Sequence, residues 1–378
     1  MVQNIDEYDP DDEFRRELPQ HLITDEILTR LPVKSLLRFK SVSKLWYATI
    51  SSCEFSWSHL ERYMMTGGYV SAQCILASFY PNDENLARFL ESYGVQEDER
   101  GDRVYIFGSV DALDEESDTV RAMYFHMVGS SNGLACFADR DYSCFRIWNP
   151  CTDECHTVED SPLTGYDRAE MQICTGFGYV WSEDNYKIVV AALRKHSDDL
   201  IFVYSLRANE WKQKSCSLSE LGGYKLSAYG IEGRGVLVNE KLHWVEETTE
   251  HAPSEDVFIV VFGLDDEEFE TVLGPSDLLQ LTYVTWKFQL CEIDGFLGIH
   301  STIMPDWVWI LVDSEWVDYS VPIEDLLQNS WLLIIFGFIR DGSFDWMYYK
   351  FDMEIYQDAM FYVETLESPL SILRKECR

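Results

Sequence analysis

Basic charge is scarce in this chain. Only 30 Lys and Arg stand against 66 Asp and Glu in 378 residues, a formal net charge of −36. Phosphate backbones are gripped by clustered Lys and Arg, so a nucleic-acid partner is excluded. Long apolar runs are also missing. None approaches the ~20 residues that a membrane helix needs, and the longest, residues 331–339, reads as a buried strand. No membrane partner is expected. The ten cysteines contain no Cys-x-x-Cys, and there is no Asn-x-Ser/Thr. Met1 opens an acidic, polar segment rather than a leader. The cysteines are therefore expected to be reduced, mostly buried thiols. The expected compartment is the cytosol, or cytosol and nucleus together.

The charge is unevenly spread. Residues 1–13 carry six carboxylates and no Lys or Arg, which suits an acidic disordered tail. Residues 14–60 hold seven basic and four acidic side chains, a net +3, which leaves −33 on residues 61–378. Such an acidic body favours a basic protein partner through faster encounter. Solubility of an aromatic-rich domain explains the same excess.

What is present begins with residues 18–55, which pack three short helical patterns between two Leu-Pro pairs, Leu18-Pro19 and Leu31-Pro32. Pro19 suits a first helical turn. Leu22, Ile23, Ile27, Leu28 and Leu31 recur at helical spacing, and Pro32 ends that helix because it bars its predecessor from helical angles. Leu36, Leu37 and Phe39 give a second segment. Val42, Leu45, Trp46, Thr49 and Ile50 give a third, with Ser41 or Ser43 as N-cap. Units below ~40 residues bury too little apolar surface to stand alone. Spacing leaves two answers open: packing against the rest of the chain, or a partner.

From about residue 66 the pattern becomes short apolar runs separated by turns. Bulky residues recur seven apart: Trp148 and Cys155, Tyr204 and Trp211, Phe262 and Phe269, Trp309 and Trp316, Tyr349 and Tyr356. These are hairpin signals, and their repeat near ~50 residues suits a kelch-like β-propeller blade. Residues 61–378 would hold about six blades, an architecture that leaves few long sheet edges. A β-sandwich with coincidental spacing is the alternative. Further strands are expected over 133–138, 186–193, 235–244, 290–299 and 331–339, and long surface loops over 82–117.

No catalytic constellation emerges. Gly129-Ser130-Ser131-Asn132-Gly133 fits a nucleophile elbow, but that chemistry needs a following helix, whereas Leu134–Phe137 reads as a strand and Asn132-Gly133 as a hairpin turn. Cys151, Cys155 and His156 lack the second ligand pair of a zinc site. His243, beside Trp244 in an apolar strand, reads as a core or turn residue. Asp265, Asp266, Glu267 and Glu268 read as a turn in open solvent, where burial cannot tune an acid. No cofactor and no metal are expected.

The order of residues at the N-terminus is similar to the F-box: Leu18-Pro19, Ile27-Leu28, Leu31-Pro32-Val33-Lys34-Ser35-Leu36, Arg38-Phe39, Val42-Ser43, Trp46, Ile50 and Phe55. Downstream, Ser130–Leu134, Trp148-Asn149-Pro150, Asn185-Tyr186-Lys187, Val203–Leu206 with Trp211, Gly235-Val236 with His243-Trp244, Phe262 with Glu268-Phe269, and Phe361–Leu366 resemble the plant F-box proteins that carry an F-box-associated domain. Gly263, Cys155 and the stretch 82–121 depart from that pattern.

The resemblance implies a mainly β chain with a small all-α N-terminal unit: a three-helix F-box over 14–60, then a kelch-like propeller over 61–378. It implies a non-catalytic substrate receptor of a Skp–cullin–F-box ubiquitin ligase. The Skp-type adaptor, and through it a cullin, would be held by Leu18, Pro19, Ile27, Leu28, Leu31, Pro32, Leu36 and Trp46, as interface or as its support. The platform would hold a target, in one alternative the basic ribonuclease recognised by S-locus F-box relatives. A propeller hydrolase and a scaffold outside ubiquitin transfer are the readings of other classes.

Overall fold

The computed structural model describes residues 18–65, 73–79, 104–108, 125–139, 141–166, 171–194, 198–215, 233–245, 257–276, 288–293, 295–301, 308–319 and 356–374. The N-terminal helices begin as a π turn over Leu22–Ile27 and a 3-10 turn over Leu28–Arg30 rather than one regular helix. The Leu28 amide reaches back five residues to the Ile23 carbonyl. That wider turn splits the apolar stripe: Leu28 is fully buried, while Leu22 and Ile27 stay exposed. Leu31 is extended (φ −88°, ψ 146°) as the residue before Pro32 must be.

Helix α1 covers Val33–Phe39 and α2 covers Lys44–Ile50. Ser43 is the N-cap of α2, accepting the Trp46 amide at 3.1 Å. Helix α3, Cys53–Met65, is a further helix, started by Ser52 Oγ, which accepts the Phe55 amide at 3.3 Å. Its apolar residues are diluted by Ser56, Ser58, Glu61 and Arg62, which hid it from the periodicity.

The strands are β1 (Gln73–Phe79), β2 (Val104–Gly108), β3 (Phe125–Ser131), β4 (Leu134–Asp139), β5 (Phe145–Asn149), β6 (Glu154–Val158), β7 (Met171–Val180), β8 (Asn185–Arg194), β9 (Leu200–Ser205), β10 (Glu210–Lys214), β11 (Gly233–Arg234), β12 (Val236–Val238), β13 (Lys241–Val245), β14 (Phe258–Gly263), β15 (Phe269–Leu273), β16 (Phe288–Ile293), β17 (Phe296–Ser301), β18 (Val308–Val312), β19 (Glu315–Asp318) and β20 (Tyr356–Val363). A short helix α4, Pro369–Arg374, follows. Among the described residues these strands form five sheets: β3–β6 in order, β10-β9-β8-β7-β11, β12–β15 in order, β16–β19 in order, and β2-β1-β20.

Consecutive sheets share cores. β3–β6 packs on β7–β10 through Phe145, Phe177, Tyr186 and Tyr204. β7–β10 packs on β12–β15 through Val189, Trp244 and Phe262. β12–β15 packs on β16–β19 through Ile259, Ile299 and Trp309. Tyr362 of β20 joins the β1–β20 sheet to β3–β6. Sheets stacked in chain order, with the first and last strands paired, make a propeller-like body. The described residues form five sheets, against the expected blade count of about six.

Strand position in a blade is written in the sequence. A strand covered on both faces reads as a continuous apolar run: β14 is buried at all six positions and β8 at nine of ten. The outer strands β10 and β19 are largely exposed and carry charge, which discourages pairing with other chains.

Three of the seven-apart pairs face each other across a hairpin: Trp148 with Cys155, Tyr204 with Trp211, Phe262 with Phe269. Each closes with the same turn, an amide bonded to the carbonyl four residues back (Asp153 to Asn149, Asn209 to Ser205, Glu267 to Gly263). The last turn residue takes a left-handed φ of 60°, 53° and 56° respectively, where Asp and Asn are tolerated. In two of them the strand's aromatic donates to that residue: Trp148 Nε1 to Asp153 at 3.1 Å and Tyr204 Oη to Asn209 at 2.6 Å. Tyr179 Oη does the same to Asp184 at 2.6 Å in the β7–β8 turn.

Trp309 and Trp316 break the rule. Trp316 faces Leu311, because Asp313-Ser314 make a tighter two-residue turn, both with positive φ. Tyr349 lies outside the described residues. The strands expected over 235–244 and 290–299 are each two strands. Asn239-Glu240, both left-handed, divide the first, and Gly295 (φ 83°) lies between the strands of the second. Strand β2 occupies part of the expected loop 82–117, whose remainder lies outside the described residues, as does 331–339.

Candidate functional site

The helices have a core of their own. Leu28, Val33, Leu36, Ile50 and Phe55 are buried together, joined by Leu366 from beyond β20. Leu31, Phe39 and Trp46 pack on its edge, with Phe39 and Trp46 edge-to-face at 5.5 Å. Of the eight residues singled out for adaptor binding, Leu28 and Leu36 lie wholly inside this core, and Leu31 and Trp46 half inside it. Those four hold the helices together. Leu18 (58% exposed), Pro19, Ile27 (43%) and Pro32 face outward.

Outside that set, Leu22, Val42 (60%), Leu45 (54%) and Tyr47 (59%) are also exposed. A signal for them was available: Leu45, Trp46 and Tyr47 are consecutive in a helix and point about 100° apart, so they cannot all face one core. Exposed large apolar residues matter when they gather, as these do on one small unit. Arg30, Lys34, Arg38 and Lys44 stand exposed among them.

The other side of the helices meets the platform. Trp57 of α3 lies 5.8 Å from Tyr179 and 5.1 Å from Trp181, ring to ring. His59 Nε2 lies 2.8 Å from the Leu31 carbonyl, and burial pushes the imidazole's pKa down against the opposing pull of that carbonyl and of Glu364. Burial likewise lowers Lys40, with Glu154 of β6 acting the other way. A cavity of about 330 Å³ opens between the start of α3 and the C-terminal segment. Its acids are not a buried pair, since Glu54 is exposed and Glu367 accepts the Ser56 hydroxyl at 3.2 Å.

The motifs weighed for chemistry separate in space. Asn132-Gly133 (φ 49° and 78°) is the two-residue turn between β3 and β4, so Ser131 is a strand residue and no elbow. Cys151 Sγ lies 2.7 Å from Tyr362 Oη, His156 pairs with Tyr204 at 3.0 Å, and Cys155 is exposed on β6. Among the described residues no group of three or more His, Cys, Asp or Glu is arranged to hold a metal. His243 Nδ1 contacts the Val236 carbonyl at 3.1 Å inside the sheet.

Two expectations need correction. Glu267 is not in open solvent. It holds Lys187 at 3.0 Å and Lys214 at 2.9 Å, and although burial raises its pKa, those bonds outweigh it and hold the carboxyl below its ordinary value. Cys53 is disulfide-bonded rather than a thiol, while Cys136, Cys144, Cys151, Cys155, Cys174 and Cys291 are free.

Comparison with known proteins matches residues 17–58 to the F-box domain and residues 80–367 to the F-box associated beta propeller domain. F-box protein CPR1 of Arabidopsis thaliana is 30% identical over 334 residues, spanning 83% of this chain and 71% of that protein. An F-box/kelch-repeat protein of the same plant is 29% identical over 275 residues, 70% of this chain and 69% of its own length. A thermostable family-43 glycoside hydrolase aligns at 10% identity over 53% of this chain and 73% of its own, with a TM-score of 0.31, too low to carry any argument about sugar chemistry. The chain belongs to the F-box proteins that carry an F-box associated β-propeller domain.

Proposed function

We propose that this protein is a substrate-recognition subunit of a Skp–cullin–F-box ubiquitin ligase and is not itself an enzyme. The unit over 14–60 binds the Skp-type adaptor, and through it the cullin. The propeller over 61–378 binds a target protein, and ubiquitin transfer comes from the other subunits. The observation that carries this reading is the exposed apolar set Leu18, Leu22, Ile27, Val42, Leu45 and Tyr47, on helices whose own core is already filled. Within the earlier set, Leu18, Pro19, Ile27 and Pro32 make contact, while Leu28, Leu31, Leu36 and Trp46 support them. The −33 charge of the platform supports a basic target.

The test is co-purification of the full chain with a Skp-type adaptor. Val42→Asp with Leu45→Asp is expected to abolish capture while leaving the circular dichroism spectrum and melting curve unchanged. Full retention of the adaptor by that folded double variant would sink the proposal.

A further inference from the structure

The two ends of the propeller meet where the F-box is attached. β1 and β20 pair antiparallel, with Gln73, the first residue of β1, opposite Val363, the last of β20. The chain that leaves β20 therefore starts beside the point where the chain from α3 arrives. It then enters the F-box and returns.

Leu366 lies in the F-box core with Leu28, Leu36 and Phe55. Six residues on, Ile372 lies in the core between sheets β3–β6 and β7–β10, with Leu373 packed beside it. Helix α4 rests on β5 and β6. Between these anchors the backbone is pinned: Asn149 Nδ2 donates to the Thr365 carbonyl at 3.0 Å and to the Glu367 carbonyl at 2.6 Å. The Glu367 amide donates to Thr365 Oγ1 at 3.1 Å, and the buried Glu367 carboxylate accepts from Ser56 of α3.

Gly133 shows how close the fit is. A Cβ there would collide with the Thr365 methyl and the Val363 carbonyl. Trp57 adds a second contact, against Tyr179 and Trp181.

We propose that residues 364–374 are a strap that locks the F-box and the propeller into one body. Packing, not a tether, then sets the separation between the adaptor-bound end and a captured target. Seven residues, 66–72, separate α3 from β1. As a sole flexible connection they would allow end-to-end excursions of roughly 15 Å, and the effective concentration of target lysines at the ubiquitin donor would fall accordingly. Residues Ser56, Trp57, Leu366 and Glu367 are thus positioning residues. The purpose given to the strap rests on the ligase-receptor reading; its existence does not.

The experiment compares the full chain with a Ser56→Ala/Trp57→Ala variant and, separately, Leu366→Ala. The first spares the F-box core and keeps the test valid if the second destabilises the helices. Amide hydrogen exchange on the free chain is expected to rise at least about tenfold in both α3 and 364–374 in either variant, while β8 and β14 stay protected. In the reconstituted ligase, the set of the chain's own lysines that receive ubiquitin is expected to be narrow for wild type and broader for the first variant, at equal adaptor capture.

Unchanged exchange in both segments would overturn the strap. Raised exchange with an unchanged lysine set would overturn its positioning role. Failure of the wild type to capture adaptor would instead sink the ligase-receptor reading, and the exchange comparison would still decide the strap.

Discussion

The helices leave Leu18, Val42, Leu45 and Tyr47 each more than half exposed, whereas β8 buries nine residues of ten and β14 all six. The difference follows from what each part packs against. An inner strand has a neighbouring sheet on both faces, so its apolar side chains are always covered. Short helices around one small core are covered by the platform on one side only, and the residues on their other side stay wet unless another subunit covers them. The charges differ as well: +3 over 14–60, against −33 over 61–378. The helices offer an apolar, mildly basic face and the platform an acidic one, so the two ends suit different partners.

The contrast can be broken most severely from within the helical core. Leu36→Ala empties a fully buried site and should cost about 2–5 kcal/mol. In urea titrations followed by tryptophan fluorescence, it should melt the helices ahead of the sheets, and one unchanged transition would contradict the separate-core description. A buried ionic site in the platform comes next. Lys187→Met leaves the Leu264 carbonyl and Glu183 without their ammonium, and should lower stability by about 3 kcal/mol. A smaller loss, or a gain, would mean that desolvation already cancels the network.

Gly133→Ala should cost at least about 2 kcal/mol, because its φ of 78° is left-handed and the added Cβ would meet the Thr365 methyl and the Val363 carbonyl. It should also raise protease sensitivity near residue 366, since the strap passes over it; cleavage at the wild-type rate would count against that contact. The pH response should be gentler. Burial holds His59 neutral, so its folded pKa lies below the ordinary 6.5, and the unfolded chain takes up the proton first. Stability contributed at neutral pH is therefore lost as pH falls below about 6.5. Urea midpoints at pH 7.5 and 5.5 should differ less in His59→Gln than in wild type. Least of all, Lys241→Ala removes an exposed pair with Glu270 and should change the melting free energy by under about 0.5 kcal/mol.

Much of this was readable in advance where the signal is local. Leu-Pro at 31–32 stops a helix, Ser43 caps one, Asn132-Gly133 turns a hairpin, and Tyr204 and Trp211 face each other because a four-residue turn joins their strands. Where two turn chemistries share one spacing, reading failed: Trp309 and Trp316 sit seven apart like the others, yet a two-residue turn shifts their register. Turns without a glycine were missed too, as at Asn239-Glu240, where neither glycine nor proline marks the break between the two apolar runs.

The sequence alone determined the family, the division into short helices and repeated hairpins, the acidity of the platform and the spacing of its turns. These depend on neighbours a few residues apart, and order along the chain is enough to state them. Only the tertiary structure decided that Leu28 and Leu36 face inward while Val42, Leu45 and Tyr47 face out, that Glu267 answers two lysines, and that Leu366 completes a core built more than 300 residues earlier. Those facts arise from contacts between distant segments, and the order of residues along one segment carries no record of what folds against it.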